Sequence, residues 1–170
     1  MKRWMKIILF CCSSLTLISW DRATKEMAKE HLKDKAAISY FNDGFRLEYV
    51  ENTGAALSIG DNLSKTVSFL LLSMIPLALL TAASVYVIRN SNEMSWMKLF
   101  SFSLVIAGGL GNIFDRIVFD RHVTDFMIIS FKKLHTGIFN FADVFVTAGA
   151  IMLLVSYRDN KTVDKNIEAA

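Results

Sequence analysis

Residues Thr66–Ile88 read TVSFLLLSMIPLALLTAASVYVI, 23 consecutive positions without a charged side chain. A helix needs about 20 apolar residues to cross roughly 30 Å of hydrocarbon, so this run predicts a membrane span. Pro76, the single proline, removes one backbone hydrogen bond inside it and predicts a kink. Ile138 to Tyr157 gives a second span, 20 residues whose only charge is Asp143. Two shorter uncharged runs, Leu99–Phe114 and Ile7–Trp20, reach spanning length only by borrowing their flanks. The expected spans are about 4–22, 66–88, 97–115 and 138–157, with one insert at about 23–65.

The rest of the composition agrees with an integral membrane protein. Of 170 residues 53% are hydrophobic, mean hydropathy is +0.37 and the net charge is +3. Two cysteines exclude a disulfide scaffold, and no charge block is long enough to solvate a disordered tail. Lys2, Arg3 and Lys6 ahead of the first run also fit a cleavable signal peptide, but no small-x-small cleavage site follows. Phe10 before Cys11 is too large for a lipidation box, which leaves Cys11 and Cys12 as lipid-facing thiols. Four spans place both termini on one side. The terminal side carries 8 Lys/Arg in 29 residues and the other side 11 in 71, so basic density favours cytoplasmic termini about twofold. Trp4, Trp20 and Trp96 fall near span ends as interfacial anchors.

Neither a linker nor an internal repeat is visible, so the chain is read as one domain, residues 1–170. Arg22 to Tyr40 reads as a polar helix running out of the first span, with Asp21 and Lys25 at favourable helical spacing. After the turn signal Asn42-Asp43-Gly44, Phe45, Leu47 and Tyr49 alternate with Arg46, Glu48 and Val50 as in a half-buried strand. Gly54 offers a tight turn and a second strand is expected beyond it. The fold class expected is an all-α integral membrane protein of four transmembrane helices, with a small extracytoplasmic β cradle and a short interfacial helix.

Polar groups at membrane depth are costly and mark function by default. Asp143 lies one turn after Asn140 on the same helix face. Asp115 ends the third span, where neighbouring Arg116 fits a structural ion pair, and Asp125 follows ten residues later with no obvious partner. Ala107 and Gly111, with Gly108, form a small-residue surface for close helix packing, while Asn112 and Arg116 share a face where the bilayer meets water. His31, His122 and His135 form no H-E-x-x-H pair, and there is no G-x-S-x-G elbow or phosphate loop. A pair of aspartates is the acid-base system that remains. A small transporter using Asp143 and Asp115 as proton or cation sites, or a purely structural membrane protein, stays open on the residues alone.

Five fragments in order, Asp21-Arg22-Ala23-Thr24-Lys25, Asn52-Thr53-Gly54-Ala55-Ala56, Gly111-Asn112 through Asp115-Arg116, Val123-Thr124-Asp125-Phe126 and Phe139-Asn140-Phe141-Ala142-Asp143, resemble the bacterial lipoprotein signal peptidases, signal peptidase II. The resemblance covers nearly the whole chain. It implies an intramembrane aspartyl endopeptidase that removes the signal peptide from prolipoproteins, cutting just before the diacylglyceryl cysteine. Asp125 and Asp143 match the catalytic pair. Asn52, Gly54, Asn112, Arg116 and Asn140 match the polar shell, and Asp21 with Lys25 a pair that organises the end of the first span. It further implies four transmembrane helices, a multi-pass protein of the bacterial inner membrane with its active site near the extracytoplasmic face, membrane lipid as a partner and inhibition by the cyclic peptide globomycin. No cofactor, metal or nucleic-acid partner is expected. Two departures stand out. The paired glycines are Gly108-Gly109, one position later than usual, so helix packing there is expected to differ. Leu134-His135-Thr136-Gly137-Ile138 replaces the Trp and Pro often found before Phe139, which changes that loop.

Overall fold

The computed structural model describes residues 2–54, 64–132 and 134–168. Helix α1 spans Arg3–Leu32 without a break, so the first span and the polar helix beyond it are one element. It stops at Leu32 and not at Tyr40, because Leu32 and Ala28 are buried against Phe126 and Met127 and the chain turns back there as strand β1, Ile38–Tyr40. Strand β2 follows as Phe45–Asn52. Helix α2 is Lys65–Asn90, α3 is Trp96–Val118, and after strands β3 (Val123–Phe131) and β4 (Leu134–His135) helix α4 runs Phe141–Glu168.

The starts of α2, α3 and α4 are each fixed by a side chain that satisfies an otherwise orphaned backbone N–H, whereas α1 begins at Arg3 without such a cap. Ser64 accepts from Val67 and Ser95 from Lys98. In α4 the arrangement is reciprocal: Asp143 N–H donates to Asn140 Oδ1 and Asn140 N–H to Asp143 Oδ2, both at 3.0 Å, a capping box built from Asn and Asp. In α2 the residues before Pro76 widen into a π-helical turn, Leu70–Met74, in which Ile75 N–H reaches Leu70 O. The proline's missing donor is thus absorbed as a bulge.

Three helices, α1 to α3, are long and apolar enough to cross a membrane, and the apolar part of α4, Phe141–Tyr157, is shorter. Half of the apolar window of α3 is buried, against 17% for α1 and 11% for α2, so α3 is the central helix. Leu15, Leu79 and Leu154, each about two-thirds exposed, point outward as they must toward lipid and would not toward water. On the inner side Phe10, Val87, Met94, Leu99 and Ile106 form one apolar cluster.

The small-residue surface of α3 lets α4 and α1 approach. A Cβ on Gly108 would lie 2.3 Å from the backbone oxygen of Ala142, and one on Gly111 would lie 2.6 Å from Asp21 Oδ2. The next glycine, Gly109, faces a different helix, where its Cβ would meet the Leu80 side chain, Cδ1 at 2.5 Å, Cδ2 at 3.1 Å and Cγ at 3.3 Å. Gly108→Ala therefore has to push α3 and α4 apart and should lower stability by about 1–3 kcal/mol, whereas Gly109→Ala needs only a Leu80 rotation and should cost clearly less. Thermal unfolding of the two variants in detergent checks this; equal losses would contradict it.

The sheet is antiparallel in the order β1-β2-β3-β4. Phe45, Leu47 and Tyr49 of β2 pack on the cluster of Ala28, Leu32, Phe126 and Met127, which sets the inward face of the predicted strand. Its long-range partner is β3, with Val50 opposite Asp125 and Asn52 opposite Val123. The second strand expected just after Gly54 lies outside the described residues. Phe139 bridges to Met127 and leads directly into α4. The sheet thus fixes β3 at the mouth of the helix bundle, beside the end of α3 and the start of α4.

Candidate active site

Asn52 and Asp125 are diagonal neighbours on one face of the β2-β3 pair, which brings side chains 73 residues apart into contact. Asn52 Nδ2 donates to Asp125 Oδ2 at 3.0 Å, and Asn140 Nδ2 donates to Asp125 Oδ1 at 2.6 Å. The same Asn140 amide donates to Asn112 Oδ1 at 3.1 Å, and Asn112 Nδ2 donates to Asp143 Oδ1 at 2.8 Å. Asp143 Oδ2 is held by the Asn140 backbone N–H. Both carboxyl groups are therefore gripped by donors on each oxygen, and Asn140 touches both residues.

Behind the amides lies a buried ion cluster. Lys25, 1% exposed, uses all three of its ammonium protons: on Asp21 Oδ2 at 2.8 Å, Asp115 Oδ2 at 2.9 Å and Asn112 Oδ1 at 3.0 Å. Asp115 also accepts from Arg22 Nη1 at 2.6 Å, and Asp21 Oδ1 accepts from Ala142 N–H at 2.9 Å. Asp115 thus pairs with Lys25 and Arg22, one helix away, and not with its neighbour Arg116. The lysine has a second effect. Because an ammonium only donates, the oxygen of Asn112 must face it, and the NH2 is thereby aimed at Asp143.

Arg116 turns instead toward the loop after β2. Its Nη2 donates to Gly54 O at 2.9 Å, Gly54 N–H donates to Asn52 Oδ1 at 2.9 Å, and Arg116 Nε is buried without a hydrogen-bond partner among the described residues. Of the residues singled out from the sequence, Asp21, Lys25, Asn52, Gly54, Asn112, Arg116, Asp125, Asn140 and Asp143 all join this one network. Arg22 was not among them. Its signal was its position one turn before Glu26, with which it also pairs.

Asp125 and Asp143 line a cavity of about 510 Å³. Its polar wall includes Asn112 and Arg116, and its apolar wall is made by Leu72, Pro76, Ile113 and Val146 from the spanning helices. A smaller space of about 250 Å³ near Arg22 and Lys29 contains neither aspartate and lies on the other side of the ion cluster. Burial raises the Asp125 carboxyl first of all. The Asn52 hydrogen bond opposes this and the Asp143 charge adds to it, leaving Asp125 pushed up from 3.8 to about 6. Such a group can exchange a proton near neutrality, as general acid-base chemistry requires.

Fold and site together define an integral membrane protein whose helix bundle and sheet enclose two linked carboxyl groups in a cavity walled on one side by membrane helices. The profile of the family described as signal peptidase (SPase) II matches residues 13–158. A lipoprotein signal peptidase of Clostridium acetobutylicum is 40% identical over 136 residues, 79% of this chain and 84% of its own length. One of Clostridium tetani is 36% identical over 148 residues, 83% and 90% of the two chains. A solved bacterial membrane enzyme shares the fold with a TM-score of 0.76 over 90% of this chain and 89% of its own, at 24% identity. The chain belongs to the signal peptidase II family and is a membrane peptidase.

Proposed function

We propose that this chain is an intramembrane aspartyl endopeptidase that removes signal peptides from diacylglyceryl-modified prolipoproteins, cutting on the N-terminal side of the lipidated cysteine. The observation that carries the reading is the placement of Asp125 and Asp143 in one cavity, joined through Asn140 and Asn112 and open to a wall of spanning helices. The two carboxyl groups facing this cavity divide the acid and base roles, one holding a proton while the other is ionised. The ionised member deprotonates a water, the water attacks the scissile carbonyl, and the protonated member donates to the developing oxyanion. The proton taken from water then leaves with the amine. Asn112 and Asn140 hold the carboxyl groups in register, and Arg116, which lines the same cavity, meets polar groups of the substrate. The apolar wall receives the signal peptide and the acyl chains, which stay in the bilayer.

Four membrane crossings in a single domain, counting the shorter α4, put both termini on one side, and the higher density of Lys and Arg there makes it the cytoplasmic side. The sheet and the aspartates then lie at the extracytoplasmic face of the bacterial inner membrane. Globomycin, a cyclic peptide, is expected to compete with the substrate for the same cavity. Mass spectrometry of the products tests the cut directly. A diacylglyceryl precursor should yield a mature chain beginning at the modified cysteine and an unlipidated precursor should stay intact. Cleavage at another bond, or of both precursors alike, would contradict the reading.

The Asp125 carboxyl also links stability to pH. Its folded value of about 6 lies above 3.8, so the folded protein holds the extra proton between them. The resulting stabilisation is complete below about pH 4 and is lost as pH rises through 6, amounting to about 3 kcal/mol. Asp125→Asn should lack this decline. Unfolding midpoints of the native and variant proteins from pH 4 to 7.5 should converge or cross with that sign, and parallel curves would contradict it.

A further inference from the structure

A second cavity, of about 430 Å³, adjoins the catalytic one, and Thr136, Gly137 and Ile138 form the wall that both share. Its character is different. Arg46, Glu48, Lys132 and His135 line it, on the sheet and away from the spanning helices. The segment between the two cavities is held in place, since Thr136 N–H donates to Ile129 O and Thr136 Oγ1 accepts from Ile129 N–H. Glu48 is already paired with Arg46 at 2.8 Å, while Lys132 lies over the Phe131 ring with no ion pair among the described residues. The groove therefore carries surplus positive charge.

We infer that this groove receives the first residues of the precursor after the modified cysteine and favours acidic side chains there. The inference rests on the peptidase reading above. A polypeptide cut in the catalytic cavity has two ends with opposite needs. The signal-peptide side is apolar and matches the wall of Leu72, Ile113 and Val146, whereas the mature side belongs to a water-soluble segment and must leave over a polar surface. The groove beyond Thr136–Ile138 is such a surface, immediately next to the aspartates' cavity. An extended chain advances about 3.3–3.6 Å per residue, so a few residues after the cysteine suffice to enter it. Charge complementarity with Lys132 then sets the preference.

The test compares diacylglyceryl precursors that differ only at the second to fourth residues after the cysteine, carrying Asp, Ser or Lys there, cleaved by the purified full chain in detergent. The acidic series should show a KM lower than the lysine series on the order of two- to fivefold per charge at low salt, with kcat unchanged and the difference fading at high salt. Lys132→Glu should reverse the order. Equal KM values with cleavage intact, or an order unaffected by Lys132→Glu, would overturn the groove while leaving the peptidase standing. Failure to cleave any lipidated precursor would overturn the peptidase reading and the groove with it.

Discussion

Replacing either Asp125 or Asp143 by Asn is expected to reduce cleavage of a lipidated precursor by about 10²- to 10⁴-fold or more, with the protein still folded. Asparagine keeps the size of the side chain and one of its two acceptor oxygens, so neither change opens a cavity, although its NH2 then faces a donor in place of the other oxygen. What it removes is the proton exchange. In the proposed mechanism the two carboxyl groups act as one unit, because a water is deprotonated only while the other member supplies the acid. Losses in such a unit do not add. The double variant should therefore be no slower than the slower single variant, and single-turnover rates in one detergent preparation measure all three. A double variant whose loss equals the product of the single losses would mean that the two groups work independently. A single variant at native rate would remove that aspartate from the chemistry.

Lys25→Met should cost about 3–5 kcal/mol of stability, far more than the loss of a surface lysine. The ammonium is buried between Asp21 and Asp115, and its removal leaves those two carboxylates facing each other with only Arg22 and backbone donors as compensation. Breaking one partner of a buried ionic group is costly because the remaining charge cannot be rehydrated, whereas removing all the charges together is often tolerated. The triple variant Asp21→Asn, Lys25→Met, Asp115→Asn should therefore recover much of the loss. Activity should not follow stability back. With Lys25 gone, the oxygen of Asn112 keeps the Asn140 amide as a donor but loses the ammonium that faces it from α1, so its NH2 is presented to Asp143 less firmly. Unfolding midpoints and cleavage rates of the single and triple variants separate the two effects. A triple variant as unstable as the single would contradict the charge argument.

How much of this was legible beforehand depends on the range of each interaction. The spans could be read because apolar length is a local property, and Asn140 could be tied to Asp143 because three residues make one helical turn and here one capping box. The fragments that resemble signal peptidase II named the remaining polar residues, and the family match agrees with that resemblance. Local sequence did not show how they meet. Asn52 reaches Asp125 only through the β2-β3 register, and Lys25 reaches Asp115 across 90 positions. The stop of α1 was hidden for a related reason. Lys33-Asp34-Lys35-Ala36-Ala37 contains neither glycine nor proline, and the helix ends because Leu32 is needed in the core beneath the sheet. Asp34 takes a positive φ of 58° to make that turn. Asp115 misled by adjacency, since Arg116 follows it in the chain yet projects toward Gly54.

The central claim is that two aspartates cut a lipidated precursor. A gel-shift assay tests it most directly, with the purified protein and the Asp143→Asn variant each given a diacylglyceryl-modified prolipoprotein and its unlipidated form. Cleavage of the lipidated precursor alone, and only by the native protein, is the predicted result. Undiminished cleavage by a folded Asp143→Asn variant, or no cleavage by native protein shown to be folded in lipid-containing detergent, would contradict it.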